Sequence, residues 1–489
     1  MENGILKKWH DEWLEEVTIS EIQVKLNSGE ITSKELVLMY LHRISLYDQG
    51  VHSILEINPD ALQIAEALDA ERREMGPRSQ LHGIPILIKD NIDTHDKMHT
   101  SAGSLALKDS IAIKDSFVAE QLRKAGAVIL GKTNMTEWAN FMAYGMKSGY
   151  SSRGGQVLNP YGPGTFDVGG SSSGSGAAVA ANFGAAAVGT ETSGSILNPA
   201  CQNSLVGIKP TVGLISRRGI IPIAHTQDTA GPMARTVEDA AILLHALCGK
   251  DEQDPITKTN PFNHFDFTEF LLKDGLKGKR VGIALDGFME ILSEEKQEVA
   301  AKALAVLKTS GAEVVENIDI PCAKVDWKYD VLTYEFKPDL NAYLNQLHPS
   351  VGIRTLADLI EFNQKNEEKM LKYGQKVLTD SEETSGRLTE ATYFEALEFD
   401  LYHSTKQGID YALEKYDLDV IIFPGEEGSH ISAKAGYPSI AVPAGFTADG
   451  EPVGITFAGT AYSEPLLIEV AYAYEQMTKF RKPPVLKKE

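Results

Sequence analysis

Lys89 closes the run Gly83-Ile84-Pro85-Ile86-Leu87-Ile88-Lys89, so its amine follows a segment apolar enough to be buried. Burial disfavours the charged form of a lysine and lowers its pKa from about 10.4, which lets the amine take a proton near neutrality. Two other stretches, 169–176 and 189–196, are dense in glycine and serine. A serine hydroxyl attacks a carbonyl when a neighbouring base removes its proton, and a Ser–Lys pair is one version of that arrangement. Glycines before a serine let successive backbone N–H groups converge on a developing oxyanion, and Thr192-Ser193-Gly194-Ser195 has this character. Together these residues point to acyl transfer. Taken singly, each has a plainer reading: a solvated surface lysine and tight structural loops.

Other motifs carry less. Gly126-Ala127-Val128-Ile129-Leu130-Gly131-Lys132-Thr133 fits the phosphate-loop pattern G-x-x-x-x-G-K-[ST]. Here the apolar strand lies between the glycines rather than before them, so its N–H groups pair in a sheet and cannot cradle a phosphate. Asp93, His95, Asp96 and His99 cluster in sequence without an H-E-x-x-H pattern, and read as loop residues; no metal site is expected. Gly170-Ser171-Ser172-Ser173-Gly174 fits the G-x-S-x-G elbow of α/β-hydrolases, with Ser172 as nucleophile and His403 or His430 as base. That esterase reading needs a strand just before the elbow, and Tyr161-Gly162-Pro163-Gly164-Thr165-Phe166-Asp167 makes a poor one. It stays open as an alternative.

The elements that must position these residues alternate between strand and helix. Thr18/Glu21 and Thr32/Glu35 have capping-box spacing, and Leu36, Val37, Tyr40, Leu41 and Ile44 recur at helical period. Helices are expected at 60–74 and 116–125, and strands at 83–89 and 127–130, a β-α-β crossover. Thirteen of the 51 residues in 145–195 are glycine and nine are serine, the composition of a linker. Embedded alanine runs argue instead for close backbone packing, with a buried helix at 174–183 and a buried strand at 185–189. Further expectations are strands at 205–208, 280–285, 312–316, 419–423, 439–442 and 453–458. Helices are expected at 236–247, 293–310 and 464–478, with an irregular excursion at 251–275 and mostly helical chain over 330–416.

The fold class predicted is α/β: one large α/β/α layered domain with a mixed central sheet and an N-terminal helical segment. The expected division is 1–59 for that segment and 60–485 for the main domain, with a helical insertion at 325–416. The chain has 489 residues and a net charge of −21, which makes a nucleic-acid partner a poor expectation. Three scattered cysteines suit a reducing compartment, and no apolar run is long enough to span a membrane. The N-terminal residues lack the apolar stretch of a signal peptide, so a cytoplasmic protein, monomeric or homodimeric, is expected.

The chain resembles the amidase signature family. The resemblance is carried by Gly169-Gly170-Ser171-Ser172-Ser173-Gly174-Ser175-Gly176 and Gly189-Thr190-Glu191-Thr192-Ser193-Gly194-Ser195-Ile196. Matches at 83–91, 126–134, 206–213, 231–239, 436–443 and 452–455 follow in the family's order, and the likeness covers about 20–480. It implies a Ser–cis-Ser–Lys triad of Ser195 as nucleophile, Ser171 as bridging serine and Lys89 as base. It also implies an oxyanion hole from the backbone of Thr192, Ser193, Gly194 and Ser195, loop support from Ser172 and Glu191, and no cofactor. Ser193 departs from the family's glycine. Leu197 stands where many members carry arginine, which speaks against acidic substrates. Glu137-Trp138-Ala139-Asn140-Phe141, Arg153-Gly154-Gly155-Gln156 and His225-Thr226-Gln227-Asp228 look most like bacterial peptide amidases. The implied substrate is a peptide amide or small amide. The alternative within the family is the A subunit of a tRNA-dependent amidotransferase.

Overall fold

The computed structural model describes residues 3–262 and 265–487. Met1 and Glu2 of the stretch read for a signal peptide, and residues 263 and 264 of the 251–275 excursion, lie outside the described residues. In chain order the strands are β1 (Ile54–Ile57), β2 (Pro85–Lys89), β3 (Val128–Thr133), β4 (Tyr150–Ser151), β5 (Gly155–Gln156), β6 (Ala186–Glu191) and β7 (Val206–Lys209). They continue as β8 (Thr229–Ala234), β9 (Arg280–Ile283), β10 (Glu313–Glu316), β11 (Val420–Pro424), β12 (Ser439–Phe446) and β13 (Pro452–Ala458).

Eleven of them form one sheet in the order β1-β3-β2-β6-β8-β7-β12-β13-β11-β9-β10, while β4 and β5 form a small hairpin. The sheet is mixed: β2 runs parallel to β3 and β6, and β9 parallel to β10 and β11, whereas β8, β12 and β13 pair antiparallel. The expected β-α-β crossover from β2 to β3 therefore forms, and the strands and helix expected at 280–285, 293–310 and 312–316 make a second one from β9 to β10. Every residue of β2, β3, β6 and β7 is buried, as continuous small-apolar runs covered on both faces must be.

Two of the sheet's strands are not among those expected from sequence. β1 is four half-buried residues at the sheet edge. β8 contains Gly231 and Pro232, which argue against a central strand. Gly231 is there because a side chain would not fit: a Cβ would lie 2.1 Å from the Ile208 carbonyl oxygen.

Both expected capping boxes are present, opening the helices Ile19–Ser28 and Ser33–Tyr47. The glycine-rich region folds as expected, with the helix Ser173–Ala180 buried along its whole length. Its glycines allow backbone to touch backbone; a Cβ on Gly174 would sit 2.3 Å from the Asn134 oxygen. The 330–416 stretch is mostly helical and has its own apolar cluster, in which Phe336, Leu340 and Leu378 pack with Trp138, Phe141 and Ile223 of the main body.

The N-terminal segment is pinned to the body by buried polar contacts. The Ile19 N–H donates to Asp239 (2.9 Å), and Arg235 donates to the Val17 carbonyl (2.8 Å). Arg481, close to the other end of the chain, donates through two nitrogens to the Glu16 carboxylate, each at 2.7 Å. Among the described residues no helix is long and apolar enough to cross a membrane.

Candidate active site

Lys89 ends β2 with no solvent exposure. Its Nζ lies 2.8 Å from Ser171 Oγ, 2.9 Å from Thr190 Oγ1 and 3.2 Å from the Thr190 carbonyl. Burial pushes its pKa down to about 7; the negative charges of Glu191 and Asp228 oppose that shift without reversing it. No carboxylate pairs with it directly among the described residues. The Thr190 carbonyl can only accept, so it takes one N–H, and Asn91 Nδ2 already donates to Thr190 Oγ1 (2.9 Å). A neutral amine so placed can turn its lone pair to the Ser171 hydroxyl.

Ser171 follows a cis peptide bond from Gly170. Its carbonyl accepts the Thr136 N–H (3.0 Å), and the Gly170 N–H donates to Asn198 Oδ1 (2.8 Å). Ser172 braces the turn against β6: its hydroxyl donates to the Thr190 carbonyl (3.0 Å) and accepts the Thr190 N–H (3.2 Å). The Ser172 N–H donates to the Ser195 carbonyl (3.2 Å), drawing the Ser195 main chain against the residue next to Ser171. Lys89, Ser171 and Ser195, far apart in sequence, are thus brought to one place by β2, the glycine turn and the loop after β6.

Glu191 shapes that loop. Its buried carboxylate accepts the N–H groups of Gly194 (2.8 Å), Ile196 (2.7 Å) and Leu197 (3.0 Å). Burial raises its pKa, and these three donors act against the rise. The structure corrects one expectation here: the Gly194 N–H is committed to Glu191 and does not serve an oxyanion. Among the described residues the N–H groups of Thr192, Ser193 and Ser195 carry no hydrogen bond and stay available. Gly194 has φ +79°, which favours glycine, whereas Ser193 has no positive φ and an exposed side chain. Ser193 is therefore sterically harmless in the family's glycine position.

Several site residues are not evident from the sequence. Asp228 accepts from Thr192 Oγ1 (2.5 Å) and from the N–H groups of Ile223 (2.8 Å) and Ala224 (3.0 Å); burial lifts its pKa to about 7. Gln227 Nε2 donates to the Thr192 carbonyl (3.1 Å). Both anchor the loop after β6 from the segment just before β8, which for Asp228 is 36 residues from its partner. Their one trace in the sequence is the stretch 225–228.

The loop lines a cavity of about 730 Å³ through Thr190, Glu191 and Thr192, which share it with apolar walls from Ile113 and Ile220–Ile223. Its two guanidinium groups are already paired, Arg217 with Asp254 (2.5 Å) and Arg218 with Asp251 (2.7 Å) and Glu120 (2.8 Å). Among the described residues one His/carboxylate group has metal-like spacing, His225, Glu335 and Asp339. It is internally satisfied: His225 Nδ1 faces Asp339 (2.9 Å), while Glu335 accepts from the Thr226 N–H (3.1 Å) and the Tyr393 hydroxyl (2.8 Å).

The remaining motifs resolve as structural. Lys132 is buried within β3, donating to the Ile92 carbonyl (2.6 Å) and Thr100 (2.9 Å), so the phosphate-loop likeness is accidental. His99 pairs with Glu56 (3.0 Å). Among the described residues no histidine bonds Ser172, whose hydroxyl is held by Thr190: His403 Nδ1 bonds the Phe399 carbonyl (2.9 Å) and His430 packs on Trp327, so the expected esterase pairing of Ser172 with either does not form.

Comparison with known proteins fits this geometry. Residues 35–468 match the Amidase family, and the chain belongs to that family. It is 43% identical to a probable amidase of Arabidopsis thaliana, over 96% of this chain and 92% of that one. The solved peptide amidase of Stenotrophomonas maltophilia is 43% identical, with a TM-score of 0.92 over 97% of this chain and all of its own. The A subunit of the glutamyl-tRNA(Gln) amidotransferase of Microcystis aeruginosa is 33% identical, over 95% of this chain and 98% of its own. The protein is an amide-hydrolysing enzyme with the amidase signature fold.

Proposed function

We propose that this enzyme cleaves the carboxamide of a C-terminal peptide amide or a related small amide through an acyl-enzyme on Ser195. The observation that carries the reading is the fully buried Lys89 amine, with no ion-pair partner among the described residues and 2.8 Å from Ser171 Oγ. Neutral Lys89 accepts the Ser171 hydroxyl proton as Ser171 takes that of Ser195. Ser195 Oγ bonds to the amide carbon, and the oxyanion draws on the N–H groups of Thr192, Ser193 and Ser195. The relay returns the proton to the leaving nitrogen, the C–N bond breaks, and water then attacks the ester by the same relay. Ser172 and Glu191 support the loops, and the reaction needs neither metal nor cofactor.

Neutral amides are favoured over acidic ones because Leu197 replaces a possible cation and both cavity arginines are paired. The three unpaired cysteines support a reducing, cytoplasmic setting. Ammonia release from a panel of peptide amides, simple amides and glutamine tests the reading, with mass spectrometry of the acylated residue. An acyl group on Ser195 is expected, and Ser195→Ala should fold normally and release nothing. Turnover of glutamine alone would favour the amidotransferase reading.

A further inference from the structure

Asn198 lies one turn beyond the nucleophile loop, and its side chain joins three separate segments. Its backbone N–H donates to the Gly194 carbonyl (2.8 Å), fixing the residue to the loop that carries Ser195. Its side-chain oxygen accepts the Gly170 N–H (2.8 Å), the peptide nitrogen just ahead of Ser171. Its side-chain nitrogen donates to Glu426, in the loop after β11. The contact with the glycine turn is close: a Cβ on Gly169 would lie 2.7 Å from Asn198 Oδ1.

A carboxamide has one accepting end and one donating end, and each can only face a complementary partner. The Gly170 N–H needs the oxygen. The Glu426 carboxylate takes the nitrogen, and so holds the amide in the orientation that serves Gly170. We propose that Asn198, oriented by Glu426, is a positioning residue that sets Ser171 against Ser195 for proton hand-off. The proposal rests on the reading of Ser171 as the relay. It assigns a role to the loop after β11, which reaches the site from the far half of the sheet.

The test exchanges the two ends of the contact. Asn198→Asp sets a carboxylate against Glu426, while Asn198→Asp combined with Glu426→Gln restores one donor facing one acceptor. The readouts are the labelling rate of Ser195 by a fluorophosphonate, located by mass spectrometry, and kcat and KM on a peptide amide, with thermal midpoints measured beside them. Asn198→Asp should label at least tenfold more slowly, with the loss in kcat rather than KM. The double variant should return to within about threefold of the wild-type rate. If Asn198→Asp fails to fold, the double variant alone decides, since it must then both fold and label. Wild-type labelling in Asn198→Asp, or a double variant no faster than the single, would overturn the proposal. A wild-type enzyme labelled at a serine other than Ser195 would sink the relay reading and the proposal with it.

Discussion

An amine can act as a base only while it is unprotonated, and Lys89 meets that condition through burial alone. With its pKa brought down to about 7, kcat/KM should rise with pH along an acid limb centred near that value. Lys89→Ala should lower kcat/KM by about 10³-fold and erase that limb, which a pH–rate profile would reveal. The same burial carries a stability cost. The unfolded chain binds a proton at Lys89 up to about pH 10.5, whereas the folded chain releases it near 7, so the group works against folding below its folded pKa and stops doing so above 10.5. Between 7 and 10.5 its contribution therefore improves as pH rises. At pH 7 the cost is up to about 4 kcal/mol. Lys89→Met should raise the thermal midpoint at pH 7 while destroying activity, and that advantage should be gone by pH 11.

At the scale of elements, the loop after β6 is held by a carboxylate rather than by packing. Glu191→Gln leaves one acceptor oxygen for three N–H groups and turns an NH₂ toward one of them. Leaving a buried donor unmet costs about 1–3 kcal/mol, so activity should fall about 10²-fold while the overall fold survives; steady-state kinetics with circular dichroism would check both. The buried helix Ser173–Ala180 behaves differently, because its glycines are contact surfaces. Gly174→Ala would drive a methyl group into the Asn134 and Ser53 carbonyls, at 2.3 and 2.5 Å, and soluble yield should collapse. Helix ends, the β-α-β crossovers and the alanine-rich helix are legible in the sequence because their signals are local: capping spacing, apolar periodicity, small residues in a run. β8 is not, because Gly231 and Pro232 argue against a strand, and Gly231 is set by the neighbouring Ile208 carbonyl rather than by strand propensity. The proposed set of Lys89, Ser171 and Ser195 comes from motif and context in the sequence. Asp228 and Asn198 are not legible there, because each acts through a partner distant in sequence and looks like an ordinary polar residue until the chain is folded.

At the scale of the whole molecule, one sheet carries two working halves. The half from β1 to β7 supplies Lys89, both serines and Glu191, while β12 closes antiparallel onto β7, with Ser439 opposite Lys209. That closure brings the loop after β11 to the back of the site. The mostly helical stretch 330–416 adds Asp339 and Tyr343 to the cavity wall. The pairing of Glu16 with Arg481 has a consequence of a different kind. It brings residues 16 and 481 within bonding distance, so the path of the chain between them is almost a closed ring. A circular permutant, its former ends bridged by a flexible linker and new ones cut between exposed Lys273 and Asp274, should fold and hydrolyse amides at near-parental rates. An insoluble permutant would mean that the order of synthesis, and not only the final contacts, is needed to assemble this sheet.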